Sequence, residues 1–315
     1  MLASTIANHH WIARDRASVE ILRTVEKVKN TYSTLLIQGE TGTGKDLLAS
    51  LIHYSSLRRN EPFLRIDCSS IPAELIETEL FGHEKGAFTG AYARKPGKLE
   101  FAGRGTIILD EIATLGMETQ AKLLRVIEER TFGRLGGHEA IPVEARLIVL
   151  SRERLENLVR AGTFREDLFF RLNVIPIHLL PLRERADDIL PLTKHFLQSF
   201  CERYEKGHLR VDRRVFSNLA RYSFPGNVRE LRNLVEGLVM LAEGEAIEPH
   251  HLPDAVRRKN SSQESRERPT LEQLERQYVT EILDFTRGRI GKAAAILGIS
   301  RKTLLEKRKR YGLVD

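Results

Sequence analysis

Cysteine is nearly missing from this chain: Cys68 and Cys201 are the only two, far apart, with no CxxC or Cys/His cluster around either. That excludes a disulfide framework and a zinc finger and fits a reducing compartment. Long hydrophobic runs are missing as well. The uncharged apolar stretch Leu172 to Leu182 falls far short of the ~20 residues that a membrane-spanning helix needs, so no membrane partner is expected. The N-terminus has no basic, apolar and small-residue run of signal-peptide form, which makes the cytoplasm the expected location. No internal repeat is apparent, and His9-His10 and His250-His251 lack acidic or cysteine companions at metal-ligand spacing.

What the chain does have is length and a localised charge. Its 315 residues suggest about two domains with a sizeable core, and 41% apolar with 30% charged residues is a globular balance. Residues 1 to 256 hold 35 Lys+Arg against 35 Asp+Glu, whereas residues 257 to 315 hold 15 against 8, so the last fifth carries the whole net charge of +7. Such a concentrated excess points to a polyanion partner; the plainer alternative is a solvated tail.

Short β-type runs, Leu35 to Gln38, Phe63 to Asp67, Thr106 to Leu109, Ala145 to Leu150 and Asn173 to Leu179, alternate with helical patterns. That alternation predicts a mostly parallel sheet covered by helices. From Pro181 onward strand patterns stop, and helices are expected over about 186 to 205, 212 to 222 and 227 to 242. Residues 257 to 269 have no large apolar side chain and read as a linker. Beyond it, Leu271, Leu274, Tyr278, Ile282 and Phe285 mark one amphipathic helix. A short helix near Lys292 to Leu297, a turn at Gly298 and a last helix N-capped by Ser300 complete the pattern.

Gly39 to Asp46 read GETGTGKD between an apolar strand and a helical pattern. A strand, a glycine-rich loop and a helix N-terminus in this order wrap phosphates with backbone N–H groups, and Lys45 neutralises the β and γ phosphates. The hydroxyl residue usual after the lysine is replaced by Asp46, so Mg²⁺ has to be held by other groups or through water. Thr106 to Leu109 end in Asp110-Glu111. Beside the phosphate loop these carboxylates suit metal binding and the polarising of an attacking water.

Glu79 to Ala91 read ELFGHEKGAFTGA, in which Gly86-Ala87-Phe88-Thr89-Gly90-Ala91 suggest an exposed mobile loop presenting Phe88 outward. This string resembles the signature of the bacterial enhancer-binding proteins, the sigma-54-dependent transcription activators of the AAA+ ATPase superfamily. The resemblance covers roughly residues 11 to 255, plus a Fis-like helix-turn-helix at the end. It implies an α/β AAA+ P-loop ATPase fold, a parallel sheet with helices on both faces, a helical lid subdomain and a C-terminal all-α Fis-like helix-turn-helix.

It also implies roles. Gly39, Glu40, Thr41, Gly42, Thr43, Gly44, Lys45 and Asp46 resemble the Walker A segment that binds ATP, where an acidic residue at the Asp46 position is normal. Asp110 and Glu111 resemble Walker B, with Asp110 toward Mg²⁺. Arg165 and Arg171 resemble arginine fingers acting on a neighbouring subunit, a task that suits guanidinium groups, although alone they read as surface arginines with Asp167 in reach of Arg171. Arg229 resembles the sensor II arginine of the lid, on a helix whose start, Asn227 with Glu230, looks like a capping box. Arg134 lies where the family has its second pore loop. The loop Gly86, Ala87, Phe88, Thr89, Gly90 and Ala91 would contact sigma-54.

Two positions depart from the pattern. Arg152 stands where the sensor I strand commonly ends in asparagine, and a guanidinium offers donors only. Asp67 stands where the family has an asparagine bonded to the catalytic glutamate; if Asp67 approaches Glu111, one pKa should rise and hydrolysis should be slower or differently gated.

In the C-terminal segment, Arg301, Lys302 and Thr303 open the second helix of the helix-turn-helix, where base edges are read, while Lys307, Arg308 and Lys309 suit phosphates. Arg308 occupies a position where the Fis-like pattern is commonly apolar. The apolar face of the helix over 271 to 286 is suited to dimerisation.

The expected organisation is therefore a nucleotide-binding subdomain over 1–180, a lid over 181–256, a linker over 257–269 and a DNA-binding domain over 270–315. The expected function is a ring-forming, hexameric ATPase, with a dimer as the alternative resting state, that binds enhancer DNA and remodels sigma-54 RNA polymerase. No N-terminal regulatory domain is seen in this chain, so control by a protein acting in trans is one option and a truncated chain the other. The alternatives are a DNA-binding regulator that binds nucleotide with weak or no hydrolysis and an AAA+ remodeller with another client.

Overall fold

A computed structural model describes residues 2–6, 9–242, 244, 246–257, 270–286 and 288–313. The chain forms two compact units, Met1–Val256 and Arg257–Asp315.

The first unit is built on five parallel strands: β1 (Leu35–Gln38), β2 (Phe63–Asp67), β3 (Thr106–Asp110), β4 (Arg146–Ser151) and β5 (Ile175–His178), in the order β5-β1-β4-β3-β2. Every residue of β1, β3 and β4 is buried, as expected of inner parallel strands that read as continuous apolar runs. Alternation sorts their side chains between two cores. Leu36, Ile107, Leu109, Leu147 and Val149 face one side, whereas Leu35, Ile37, Ile108, Ile148 and Leu150 face the other. Helices α1 (Arg16–Val28) and α2 (Lys45–Tyr54) close the second side; α3 (Ala73–Phe81), α4 (Met117–Glu129), α5 (Leu155–Arg160) and α6 (Glu166–Leu172) close the first. Each fully buried Leu or Ile contributes roughly 1.5–3 kcal/mol, so both layers are needed to hold the sheet.

The register aligns Asp67 with Asp110 at the carboxyl ends of neighbouring strands. Open parallel sheets bind ligands at that end.

Helices α7 (Ile189–Arg203), α8 (Arg213–Arg221) and α9 (Asn227–Leu241) form the lid around Phe200, Val215, Leu219, Leu231, Val235 and Leu238. Strand structure does not stop at Pro181, as the sequence suggested: Arg210–Val211 pair in parallel with Ala246–Ile247. Two residues on each side are too short to show a period-two pattern. Elsewhere, Leu2–Ile6 pair with His9–Ala13 in an antiparallel hairpin.

In the second unit, α10 (Leu271–Phe285), α11 (Ile290–Leu297) and α12 (Arg301–Arg310) pack around Val279, Ile282, Leu283, Ala293, Ala294 and Leu304. Gly298 ends α11 in the left-handed region at φ 68°, and the Ser300 hydroxyl accepts from Thr303 N at 3.1 Å to start α12. Of the expected linker, Arg257 ends a short helix from Asp254, and 258–269 lie outside the described residues. No described helix is long and apolar enough to cross a membrane.

Candidate active site

The loop after β1 opens a cavity of about 660 Å³ lined by Gly42, Lys45, Asp46, Arg65, Asp110, Glu111 and Arg229 among others. A larger cavity of about 800 Å³, by Lys194, Cys201 and Phe216 in the lid, lies away from these groups. The chemistry is in the first.

Lys45 is largely buried, and its Nζ donates to the carbonyls of Gly39 at 2.7 Å and Glu40 at 3.3 Å, which holds the ammonium inside the loop. Burial pushes its pKa down, against the pull of Glu111, Asp110 and Asp46. Burial likewise pushes the Asp46 carboxyl up. Gly42 has φ +80°, and a Cβ there would lie 2.3 Å from the carbonyl oxygen of Gly226, so only glycine lets the lid approach the loop this closely. Its own carbonyl accepts from Val228 N at 3.0 Å and Arg229 N at 3.3 Å, at the start of α9.

Asp110 ends β3 inside the pocket, and its Oδ1 accepts from Glu111 N at 2.9 Å. Glu111 has φ 50° and ψ 47°, a left-handed conformation that a non-glycine residue adopts at a cost and that recurs at functional sites. Hard oxygen donors such as Asp110 and Asp46 fit a divalent cation like Mg²⁺.

Asp67 corrects the expectation drawn from the sequence. Its carboxylate accepts from Ser69 Oγ at 2.6 Å and Ser69 N at 3.0 Å. These bonds hold its pKa below the ordinary carboxylate range rather than raising it. The turn after β2 supplies both donors.

Arg165 and Arg171 do not line the pocket. Arg165 pairs with Asp167 at 2.7 Å and Arg171 with Glu128 at 2.8 Å, so Asp167 is taken by the nearer arginine instead of the one four residues on. Arg171 is 60% exposed. Arg152 is turned onto Glu153 at 3.3 Å, outside the pocket lining.

Several contacts that no motif announced bind the loop to the lid. Glu40 accepts from Arg183 Nη2 at 2.6 Å and Nη1 at 2.8 Å, and Arg183, then Asn227, hold its pKa at about 2. The Asn227 side chain donates to Thr41 O at 3.0 Å and accepts from Leu182 N at 2.7 Å, so it does not cap α9 as the capping-box pattern suggested. Glu230 Oε2 accepts from Gly226 N at 2.7 Å, one residue before the donor the Asn227–Glu230 pattern would use. Arg185 donates to Thr43 O at 2.7 Å, and fully buried Asp188 accepts from Arg14 N, Asp15 N and Ser18 Oγ. A Cβ at Gly44 would lie 3.5 Å from the ring of Trp11, the single tryptophan, which packs beneath the loop.

The 86–91 loop closes on itself through Gly86 N to Ala91 O at 2.8 Å and Ala91 N to Phe88 O at 3.0 Å. Thr89 and Gly90 are exposed, Ala91 is buried, and Phe88 is 44% exposed. Phe88 is not simply presented outward: its ring meets His83 edge to face at 5.0 Å. Beneath the loop, Arg134 is buried among Glu84 at 2.9 Å, Glu100 at 2.8 Å and Glu139 at 3.1 Å.

On α12, Arg301, Lys302 and Lys309 are exposed. Lys307 instead pairs with Glu275 of α10 at 2.5 Å, and Arg308 donates to Leu313 O at 3.2 Å, which gives the guanidinium a partner at a position the pattern would make apolar.

A phosphate loop on a five-stranded parallel sheet, closed by a helical lid, defines a nucleotide-binding AAA+ protein. The match to the sigma-54 interaction domain extends over residues 11–178, more than half of the chain, and the chain belongs to that family. Residues 183–269 match the AAA+ ATPase lid domain and 270–311 the bacterial regulatory proteins of the Fis family. The chain is 40% identical over 313 residues to the regulatory protein AtoC of Escherichia coli K12, covering 96% of this chain and 68% of that protein. It is 40% identical over 306 residues to the nitrogen fixation protein VnfA of Azotobacter vinelandii, covering 96% and 59%. NtrX of Brucella abortus, solved with ADP, superposes with a TM-score of 0.72 at 33% identity, covering 97% of this chain and 70% of that one. Its complex with ATP gives 0.71 at 34% identity, covering 96% and 69%. The chain spans about half to two thirds of the length of most of these curated relatives.

Proposed function

We propose that this chain is the ATP-hydrolysing and DNA-binding core of a sigma-54-dependent transcription activator, working in the cytoplasm. The observation that carries the reading is one pocket holding Lys45, Asp110 and Glu111 in the same unit as an exposed GAFTGA loop with Thr89 at its surface.

In this reading residues 1–180 bind and hydrolyse ATP, 181–256 form the lid and 270–315 bind enhancer DNA. The loop N–H groups from Gly39 to Asp46 and the Lys45 ammonium hold the phosphates. Glu111 polarises the attacking water, and Arg229 faces the nucleotide from the lid. Asp110, with Asp46 beside it, would hold Mg²⁺, which would supply charge neutralisation at the phosphates. Half-buried Arg165 and exposed Arg171 reach the nucleotide of a neighbouring subunit in a hexameric ring, each leaving a surface carboxylate to do so. The exposed apolar residues Leu271, Leu274, Tyr278 and Phe285 of α10 suit a dimer at rest. Arg301, Lys302 and Thr303 read bases. A regulatory protein acting in trans would set the timing.

The decisive experiment is in vitro transcription from a sigma-54 promoter with wild type beside Thr89→Ala and Glu111→Ala. Open complexes should form with wild type alone, and Thr89→Ala should still hydrolyse ATP. Equal open-complex yields from all three would remove this reading.

Arg152, turned onto Glu153, favours a second reading, a DNA-binding regulator that binds nucleotide with weak or no hydrolysis. ATP turnover in wild type no greater than in Glu111→Ala would establish it.

A further inference from the structure

Between the carboxylates of Asp46 and Asp110 stands a guanidinium. Arg65 rises from edge strand β2, and its Nη2 lies 2.5 Å from Asp110 Oδ2 and 3.3 Å from Asp46 Oδ1. That Asp46 oxygen is buried and makes no hydrogen bond, so the arginine is its charge partner but not a bonded donor. Asp110 is nearly buried, whereas the Arg65 side chain is 47% exposed. The carboxylate is therefore fixed at the strand end, and the arginine can swing into solvent without opening the core.

Without Arg65, Asp46 and Asp110 would face each other as two like charges around one space. With it, the space has a resident cation of single charge. A divalent ion coordinating Asp110 Oδ2 competes with Arg65 Nη2 for the same oxygen and the same charge.

We propose that Arg65 is the resident cation of the metal site: it has to leave Asp110 before Asp110 can take a divalent ion, and so it sets how much metal the pocket requires. The proposal rests on reading the pocket as a Mg²⁺-nucleotide site. Two effects act in the same direction. Removing Arg65 frees the Asp110 oxygen, and it also leaves Asp46 and Asp110 mutually unscreened, which strengthens their attraction for a divalent ion.

Mn²⁺ serves as the probe, with free ion counted by electron paramagnetic resonance on the full chain, alone and with ADP. Arg65→Ala should bind Mn²⁺ about fivefold or more tightly than wild type, the scale of one half-exposed charge pair. Arg65→Lys keeps the charge on a shorter reach and should fall between the two. Mn²⁺ affinity unchanged or weakened in Arg65→Ala would overturn the proposal, because a purely structural arginine would leave it unchanged. Calorimetry of ADP in EDTA separates this from the underlying reading. Wild type that binds no ADP in EDTA or in Mn²⁺ sinks the nucleotide site itself. Normal ADP binding with equal Mn²⁺ affinities sinks the role of Arg65 alone.

Discussion

The side-chain amide of Asn227 donates to the backbone carbonyl of Thr41 at 3.0 Å, joining the first residue of a lid helix to the middle of the phosphate loop. Asn227 is fully buried and sits at φ 53°, a region asparagine tolerates far better than alanine. Asn227→Ala should therefore lose about 2–4 kcal/mol, from its hydrogen bonds and from backbone strain. Asn227→Gly loses the same bonds without the strain and should be ~1 kcal/mol less destabilised. Urea unfolding of both variants checks the split, and equal losses would show that strain has no part.

Glu40 and Arg183 form the second tie between loop and lid. The Glu40 carboxyl, held at about 2 rather than 4.5, stabilises the folded chain fully above pH 4.5. That contribution is lost as the pH falls from 4.5 toward 2, because protonation removes the negative charge that pairs with Arg183. Both side chains are 43% exposed, so screening limits the tie to about 1 kcal/mol or less. Glu40→Gln should flatten the acid limb of the stability curve, measured by denaturant midpoints between pH 3 and 7.

Asp67 is occupied by Ser69. Asp67→Asn should accordingly change ATP turnover by less than about twofold, within the ~0.5 kcal/mol typical of substitutions outside a coupled site. A rise of tenfold or more in steady-state hydrolysis would show that its carboxylate restrains Glu111.

On α12, exposed Lys309 and paired Lys307 should behave differently toward DNA. Lys309→Ala should reduce the slope of log affinity against log salt by about 1, as expected of a phosphate contact. Lys307→Ala should change it less, since its ammonium is neutralised by Glu275 before any DNA arrives. Fluorescence anisotropy over a salt series measures both slopes.

Legibility in the sequence followed the range of the interactions. Leu35 to Gln38 and Phe63 to Asp67 read as strands because inner and edge parallel strands carry apolar or alternating runs, and the strand, glycine loop and helix order made the phosphate loop visible. The Arg210–Val211 pairing was invisible because two residues carry no period. Asn227 read as a helix cap because Glu230 follows at the right spacing; its actual partner, Thr41, is 186 residues away. Period two does place Arg65 and Asp67 on one face of β2, but nothing local says that β3 and Asp110 lie alongside.

The order of residues by itself determined the chemistry at hand: a lysine in a glycine loop, paired carboxylates after an apolar run, an exposed glycine-flanked loop and a basic last fifth. These depend on neighbours within a few positions, where backbone geometry and side-chain type suffice. Only the tertiary structure decided which charges meet, placing Asp67 on Ser69, Arg171 on Glu128, Arg65 between Asp46 and Asp110, and Lys307 on Glu275. Ion pairs and hydrogen bonds fall off within a few ångströms, so their partners are chosen by strand order and helix docking rather than by distance along the chain.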